Sequence, residues 1–161
     1  MKYINVGKIY TTHGLKGELK VKSNFEFKDK IYVKDMNFYF GDKKELFTLN
    51  NYRKQNEFDL LTFNNIETID KAILYRGTLL YIDRDSIELD TYLNEDLINF
   101  EVIFNDKNIG KVISIIDAGN GNEIICLENI KIPKHDNFIE KIDFDNKKIY
   151  VKNVEGLMLW K

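Results

Sequence analysis

The sequence contains few of the residues that build disulfides, metal sites or rigid linkers. Its 161 residues include one cysteine, one proline and two histidines. A single cysteine excludes an intramolecular disulfide, which fits a reducing compartment. One cysteine and the widely separated His13 and His135 are a poor ligand set for structural zinc, so no metal is expected. The lone Pro133 excludes a proline-rich linker.

Long apolar runs and catalytic signatures are also missing. No stretch approaches the roughly 18–20 apolar residues of a membrane-spanning helix, and the amino terminus lacks the apolar core of a signal peptide. The chain has no phosphate-binding Gly-x-x-x-x-Gly-Lys-Ser/Thr loop and no Gly-x-Ser-x-Gly motif. The sequence therefore predicts a soluble cytoplasmic protein with no membrane partner, no catalytic residue and no cofactor.

Short strand-like segments dominate what is present. The composition, 43% hydrophobic and 13% aromatic, is sufficient for packed cores. Strands are predicted where β-forming residues concentrate: Glu18–Lys22, Leu46–Leu49, Phe58–Phe63, Thr78–Ile82, Glu101–Phe104, Gly110–Ile116, Glu123–Leu127 and Lys148–Lys152. One helix is predicted at 68–75, with Thr68 as N-cap and Gly77 after its end. Many short strands with one short helix favour a small barrel.

Two apolar segments in the second half carry specific predictions. Both faces of the segment Lys111-Val112-Ile113-Ser114-Ile115-Ile116 are largely apolar, which is typical of a central barrel strand. Cys126 lies in the apolar run Ile124-Ile125-Cys126-Leu127. It is predicted to be a buried side chain rather than a nucleophile.

Charge is distributed unevenly along the chain. Residues 1–83 carry 14 Lys and Arg against 11 Asp and Glu, a net charge of +3, whereas residues 84–161 carry 10 against 15, a net charge of −5. The polar segment 84–91 lies where the balance changes and is predicted to link two domains. A basic half can bind nucleic acid and an acidic half a basic protein. Ordinary scatter of surface charge is the alternative.

A glycine-containing stretch from Val6 to Val21 is the most distinctive segment. Two strand-like segments flank a loop with Gly14 and Gly17, which places a histidine and a lysine at the tip of a hairpin. Glycine reaches positive φ without steric cost, so this spacing predicts a fixed loop. The loop either contacts a partner or only turns the chain, leaving His13 in solvent.

Lysines alternate with aromatic residues near the amino terminus. The first 22 residues hold five lysines against one acidic residue, Glu18, and Tyr3 and Tyr10 lie among them. Lysine binds RNA phosphates, and aromatic rings stack on bases. In a barrel, however, an aromatic residue is more often part of the core.

Several short motifs follow one another along the chain. They are Gly7-Lys8-Ile9 followed by Thr12-His13-Gly14-Leu15-Lys16-Gly17-Glu18-Leu19-Lys20-Val21, Tyr75-Arg76-Gly77-Thr78-Leu79-Leu80, Tyr92 with Asp96-Leu97-Ile98, Ile109-Gly110-Lys111-Val112, Ile132-Pro133, Phe138-Ile139-Glu140-Lys141-Ile142-Asp143 and Ile149-Tyr150-Val151 with Glu155-Gly156-Leu157. In their order and spacing, these motifs resemble those of the bacterial RimM family of ribosome maturation factors. The resemblance implies an all-β fold of two small β-barrels. Residues 1–83 would form a barrel like those of translation factors and reductases, 84–91 a linker, and 92–161 a PRC-barrel.

The same resemblance implies a monomeric, non-enzymatic factor. It would act in late maturation of the head of the small (30S) ribosomal subunit and in 16S rRNA processing. Its partners would be the pre-30S particle, 16S rRNA and the head ribosomal protein numbered nineteen. The candidates for RNA or ribosome binding are Lys8, His13, Gly14, Lys16, Gly17 and Lys20. The candidates for binding the ribosomal protein are Tyr92 and Asp96.

The run from Tyr92 to Asn99 departs from the family pattern. The family commonly has two tyrosines and an aromatic residue before Asp-Leu-Ile-Gly, whereas this chain has Leu93, Asn94 and Asn99 at three of those positions. Tyr92 is therefore the one tyrosine carried over as a contact candidate. Packing at a domain junction is the alternative for Tyr92.

Two other classes of function remain open from the sequence. Similar barrels can hold flavin, so a flavin-binding reductase-like enzyme is the main alternative, and a bound flavin would colour the purified protein yellow. The third class is a structural PRC-barrel partner of a membrane complex. The missing membrane anchor and the glycine-containing amino-terminal signature speak against it.

Overall fold

The computed structural model describes residues 1–158 of the protein. These residues divide into two compact units, the first spanning Met1–Leu89 and the second beginning at Asp90. Strands predominate in both units, which confirms the mostly-β prediction. Within residues 1–158, no helix has the length and apolar character needed to cross a membrane.

The first unit is a closed six-stranded barrel. Its strands are β1 (Tyr3–His13), β2 (Glu18–Lys22), β3 (Asn37–Phe40), β4 (Glu45–Gln55), β5 (Phe58–Phe63) and β6 (Leu79–Asp83). They are hydrogen-bonded in the order β1-β2-β5-β4-β3-β6, and β6 pairs with β1 to close the barrel. Every pair is antiparallel.

Apolar and polar residues alternate along the strands, and the apolar side chains fill the interior of this barrel. Leu19 and Val21 of β2 are fully buried, whereas Lys22 is exposed, as expected for a strand with one face inside. The rings of Phe38 and Phe63 pack edge to face with centroids 5.3 Å apart. The predicted bounds of β2 and β5 are confirmed, and β4 extends further in both directions than predicted.

Two short helices complete the first unit. They are α1 (Lys28–Ile31) and α2 (Ile69–Ala72), and α2 continues as a 3₁₀ turn over Ile73–Tyr75. The helix predicted at 68–75 is thus confirmed, although only its first part is α-helical. The Thr68 hydroxyl accepts a hydrogen bond from the Lys71 N–H at 3.3 Å, so Thr68 is the predicted N-cap.

The start of the predicted linker is ordered within the first unit. Arg84–Ser86 forms a 3₁₀ turn, and the Asp83 carboxylate accepts a hydrogen bond from the Asp85 N–H at 3.2 Å. The Ile87 side chain is buried. The first unit therefore extends beyond residue 83 to Leu89.

The second unit contains two sheets. Its strands are β7 (Glu101–Phe104), β8 (Lys107–Lys111), β9 (Ser114–Asp117), β10 (Glu123–Cys126), β11 (Lys131–Pro133), β12 (Ile139–Asp143) and β13 (Lys148–Val151), preceded by a 3₁₀ turn at Asn94–Leu97 and followed by α3 (Glu155–Met158). One sheet has the order β12-β13-β7-β8 and the other β11-β10-β9. Strands β13 and β7 run parallel. The last three residues of the predicted domain 92–161 lie outside the described residues.

Both sheets of the second unit contribute to one core. Val102 and Ile149 come from the four-stranded sheet, and Ile125 and Ile132 from the three-stranded sheet. Cys126 is buried, as predicted. The second unit therefore has a hydrophobic core of its own.

The prediction of a single strand at Gly110–Ile116 is wrong, because the segment contains the end of β8 and most of β9, which belong to different sheets. The Val112 N–H donates to the Phe100 carbonyl at 2.9 Å, and the Ile113 N–H donates to the Cys126 carbonyl at 2.8 Å. The chain therefore changes hydrogen-bonding partner between these two residues. Val112 is buried but Ile113 is 58% exposed. Apolar residues on both faces of this segment therefore do not indicate that both faces are buried.

Candidate nucleic-acid interface

The glycine-containing loop is the turn that joins β1 to β2. His13 ends β1 and Glu18 begins β2, and the two residues are paired across the hairpin. Gly14 has a φ of +72° and Gly17 a φ of +87°. Both glycines thus have the positive φ that their spacing predicts.

The two glycines differ in their surroundings. Gly17 is buried, and a Cβ atom added to it would lie 2.3 Å from the Ile66 carbonyl oxygen. The neighbouring Leu15 carbonyl accepts a hydrogen bond from the Ile69 N–H at 3.0 Å. Gly14 is exposed, and nothing lies within 4 Å of a Cβ added there. Gly17 therefore fixes the loop against the segment before α2 and offers no contact surface itself.

The tip of the hairpin presents a cation to solvent. Lys16 is exposed, Leu15 is 76% exposed, and His13 is partly buried. The Lys16 ammonium group is thus available to a partner, whereas His13 has only part of its surface exposed.

Glu18, the one acidic residue among the first 22, is neutralised by Arg53 of β4. The guanidinium donates two hydrogen bonds to the carboxylate, at 2.8 and 2.9 Å. The hydrogen bond from Arg53 lowers the pKa of Glu18, with desolvation acting in the opposite direction. Glu18 therefore remains ionised and its charge is balanced locally.

Further along the hairpin, lysines and aromatic rings form a cluster on the outside of the barrel. We call it the Lys-aromatic face, and it consists of Lys8, Tyr10, Lys20, Lys22 and Phe58. Lys8 and Lys22 are paired across β1 and β2. The centroids of the Tyr10 and Phe58 rings are 5.2 Å apart. The Lys20 Nζ lies 4.5 Å from the Phe58 centroid, and the Lys22 Nζ lies 5.7 Å from the Tyr10 centroid.

The Lys-aromatic face contains two of the predicted binding residues and three that were not selected. Lys8 and Lys20 were predicted from the sequence, but Lys22, Tyr10 and Phe58 were not among the candidates. Tyr10 is 55% exposed, so the expectation that such an aromatic belongs to the core is wrong for this residue. The pairing of β2 with β5 brings Phe58 close to Lys20. Because these strands are far apart in the sequence, no local sequence pattern indicates this contact.

In the second unit, Tyr92 packs within a small polar and aromatic cluster. Its ring centroid lies 5.2 Å from that of Phe144 and 4.8 Å from the Lys134 Nζ. Lys134 also donates a hydrogen bond to the Asn94 Oδ1 at 2.9 Å and lies 3.5 Å from the Glu123 carboxylate. Asn94, which replaces an aromatic residue of the family pattern, therefore helps to hold the lysine that covers Tyr92.

Asp96 and Asn99 shape the turn that follows Tyr92. The Asp96 carboxylate accepts a hydrogen bond from the Leu93 N–H at 2.8 Å. Asn99 has a φ of +71°, a left-handed conformation that asparagine tolerates better than most residues. Asparagine thus keeps the backbone conformation that glycine would adopt at this position. Asp96 positions the turn, whether or not it also contacts a partner.

Comparison with known proteins identifies the family. Residues 4–87 match the family described as the RimM N-terminal domain. A ribosome maturation factor RimM of Staphylococcus haemolyticus is 34% identical over 165 residues, which cover 96% of this chain and 98% of that relative. The chain belongs to the RimM family. Another RimM, from Finegoldia magna, is 34% identical over 167 residues, covering 98% of this chain and all of the relative.

Solved RimM structures also resemble the chain. The crystal structure of a 16S ribosomal RNA processing protein RimM from Pseudomonas aeruginosa is 16% identical, covers 94% of this chain and 97% of that one, and gives a TM-score of 0.45. The solution structure of the N-terminal domain of RimM from Thermus thermophilus is 12% identical and covers 55% of this chain and 98% of that one, with a TM-score of 0.47. The RimM membership predicted from the motifs is confirmed by the sequence relatives.

Proposed function

We propose that this RimM protein is a non-enzymatic, monomeric cytoplasmic factor for late maturation of the 30S subunit head and for 16S rRNA processing. Family membership supports the proposal, because the relatives that match almost the whole chain are named ribosome maturation factors. The Lys-aromatic face, beside the exposed Lys16, is the observation that carries the RNA-binding part.

Uncompensated positive charge makes the first unit the side that binds RNA. Within residues 1–158, none of Lys8, Lys20 and Lys22 forms an ion pair with a carboxylate. Glu18 is paired with Arg53, so it does not cancel these charges. Lysines that lack carboxylate partners release counterions when they bind phosphates, and this release favours RNA binding.

The second unit is the side that binds the ribosomal protein. From Asp90 onward the chain carries 9 Lys and Arg against 13 Asp and Glu, a net charge of −4, and ribosomal proteins of the small-subunit head are generally basic. Complementary charge speeds encounter and sets orientation more than it sets affinity. We assign the head ribosomal protein numbered nineteen to this unit, with Tyr92 as the aromatic anchor and Asp96 as the residue that holds the adjoining turn.

Sedimentation of a native extract tests the proposal as a whole. We expect the chain to travel with small-subunit precursors in a sucrose gradient, and a chain found only in the light fractions would refute the proposal. A simpler observation tests the flavin-binding alternative, because a flavoprotein would be yellow after purification. We expect a colourless protein.

Replacement of Lys16 by alanine is expected to weaken association with precursor subunits. The side chain is exposed at the hairpin tip, so its loss removes a phosphate contact, and the effect is larger at low salt. The free energy of unfolding should change by less than about 0.5 kcal/mol, as is usual for surface residues. Co-sedimentation measures the association. Equal association of the variant and the original chain would remove this loop from the interface.

Replacement of Tyr92 by alanine in the full chain is expected to weaken binding of the ribosomal protein about tenfold. Tyrosines at interfaces often contribute ~1–2 kcal/mol or more, and titration calorimetry measures the change. Tyr150→Ala is the matched control, because Tyr150 is a partly buried tyrosine of the same unit whose ring also lies near a lysine, with the Lys141 Nζ 5.9 Å from its centroid. Equal losses in both variants would show an effect on the fold rather than on a contact.

A further inference from the structure

The Lys-aromatic face contains one aromatic ring, that of Tyr10, with a large exposed surface. Tyr10 lies on β1 with 55% of its surface exposed, and one side of its ring is supported by Phe58 at 5.2 Å. Phe58 in turn has the Lys20 ammonium group 4.5 Å from its centroid. The Tyr10 ring therefore packs against a neighbouring ring and still keeps more than half of its surface exposed.

One lysine of the face lies near this ring, and a second is that lysine's partner on the adjacent strand. Lys22 lies 5.7 Å from the Tyr10 centroid and is paired with Lys8 on β1. Adjacent strands are ~4.8 Å apart, so the two ammonium groups can reach the same short stretch of a phosphate backbone. The face thus combines the exposed Tyr10 ring with several positive charges, close enough together to contact one or two adjacent nucleotides.

A second tyrosine on the same strand has a different setting. Tyr3 is 40% exposed and packs near Tyr39, with the Lys44 Nζ 5.4 Å from its centroid. Its partner across β1 and β6 is Asp83, a carboxylate, whereas the partner of Lys8 on the Lys-aromatic face is another lysine. A lysine near an exposed tyrosine therefore occurs twice on this barrel, but the concentration of positive charge occurs beside Tyr10.

We infer that the Lys-aromatic face binds unpaired nucleotides of RNA, with one base stacked on Tyr10 and the adjoining phosphates held by Lys8 and Lys22. The inference rests on the proposed function and specifies the kind of RNA that the first unit binds. The base faces of a duplex are already stacked on their neighbours, so an exposed ring gains a stacking partner only from an unpaired base.

An acidic protein segment is a less suitable occupant of the same face. Carboxylates would pair with the lysines, but they would gain nothing from the Tyr10 ring, because the face of an aromatic ring is itself electronegative. A base has a polarisable flat surface next to its phosphate and so uses both parts of the cluster. The two occupants consequently differ in whether binding depends on Tyr10.

The test measures binding of the full chain to labelled oligouridine of about 12 nucleotides, within the ~4–16 nucleotides bound by comparable barrels, by fluorescence anisotropy. A duplex of oligoadenine and oligouridine of equal length is the second probe. We expect the single strand to bind at least about tenfold more tightly than the duplex. Lys22→Gln should reduce the slope of log affinity against log salt by about 0.7, the value for one phosphate contact with a single strand.

Three substitutions separate stacking from charge. Tyr10→Leu is expected to weaken single-strand binding about tenfold or more, whereas Tyr10→Phe keeps the ring and should remain within about twofold. Tyr3→Leu is the matched control on the same strand and should leave binding unchanged. Thermal melts establish that each variant is folded, and if Tyr10→Leu fails to fold, the preference of the original chain for the single strand over the duplex still tests the inference.

The inference fails if the duplex binds as tightly as the single strand, if folded Tyr10→Leu binds normally, or if the original chain binds neither probe. It also fails if a polyglutamate peptide binds as tightly as the RNA and independently of Tyr10, which would indicate an acidic protein partner. Co-sedimentation distinguishes this failure from failure of the proposed function. A chain that travels with precursor subunits but does not bind oligouridine refutes the inference alone.

Discussion

Replacement of Gly17 by alanine is expected to lower the free energy of unfolding of the first unit by about 3 kcal/mol. The added Cβ would lie 2.3 Å from the carbonyl oxygen and 2.8 Å from the carbonyl carbon of Ile66, so the backbone of one segment has to move. Overpacking of this kind costs ~1–3 kcal/mol. The φ of +87° adds the ~1–2 kcal/mol that a side chain costs in the left-handed region.

Gly14→Ala is the control that isolates the contact with Ile66. Gly14 has a similar φ of +72°, but nothing lies within 4 Å of its added Cβ, so we expect a loss of only about 1 kcal/mol. Urea denaturation followed by circular dichroism measures both variants. Equal losses would show that backbone conformation, rather than contact with Ile66, explains the need for glycine at position 17.

Replacement of Asp59 by alanine is expected to destabilise the first unit by about 2–3 kcal/mol. Asp59 is 1% exposed, and its Oδ2 accepts a hydrogen bond from the Tyr32 hydroxyl at 2.7 Å and lies 2.9 Å from the Lys28 Nζ. Burial, together with the Asp59 carboxylate, raises the pKa of Tyr32 far above its ordinary value, so the hydroxyl stays protonated and donates. Removing the acceptor leaves that hydroxyl without its partner and opens a cavity.

Two further variants locate the source of this loss. Tyr32→Phe removes the donor and should cost about 1.5–3 kcal/mol, and the double variant should cost less than the sum of the two because they share one interaction. Lys28→Met removes the cation beside this buried carboxylate, and because Lys28 is 29% exposed water replaces part of that stabilisation, so we expect a loss of about 1–3 kcal/mol. Additive losses from Asp59→Ala and Tyr32→Phe would contradict a direct coupling between the two residues.

Local sequence patterns predicted the strands whose burial alternates and failed where the chain changes partners. Glu18–Lys22 was predicted with the correct bounds because Leu19 and Val21 face the core and Lys20 and Lys22 do not. The switch between Val112 and Ile113 depends on backbone bonds to Phe100, just before β7, and to Cys126 of β10. Nothing in the apolar run itself marks that switch.

The candidate interface was predictable in part for the same reason. The positive φ values of Gly14 and Gly17 follow from their spacing, because only glycine adopts that conformation without cost. The tight contact of Gly17 with Ile66 and the position of Phe58 beside Lys20 do not follow from the sequence, because each depends on segments far apart in the chain. The sequence therefore located the hairpin but only part of the Lys-aromatic face.

The parallel pairing of β13 with β7 has a consequence for the order of folding during synthesis. Strand β13 lies between β12 and β7 in the four-stranded sheet, yet among the strands within residues 1–158 it is the last to leave the ribosome. Domains generally fold amino-terminal first as they are made, and pairing across a long loop is slow. We therefore expect the basic barrel to be complete while the acidic unit still lacks a central strand, so that the proposed RNA-binding side of each new molecule forms before the proposed protein-binding side.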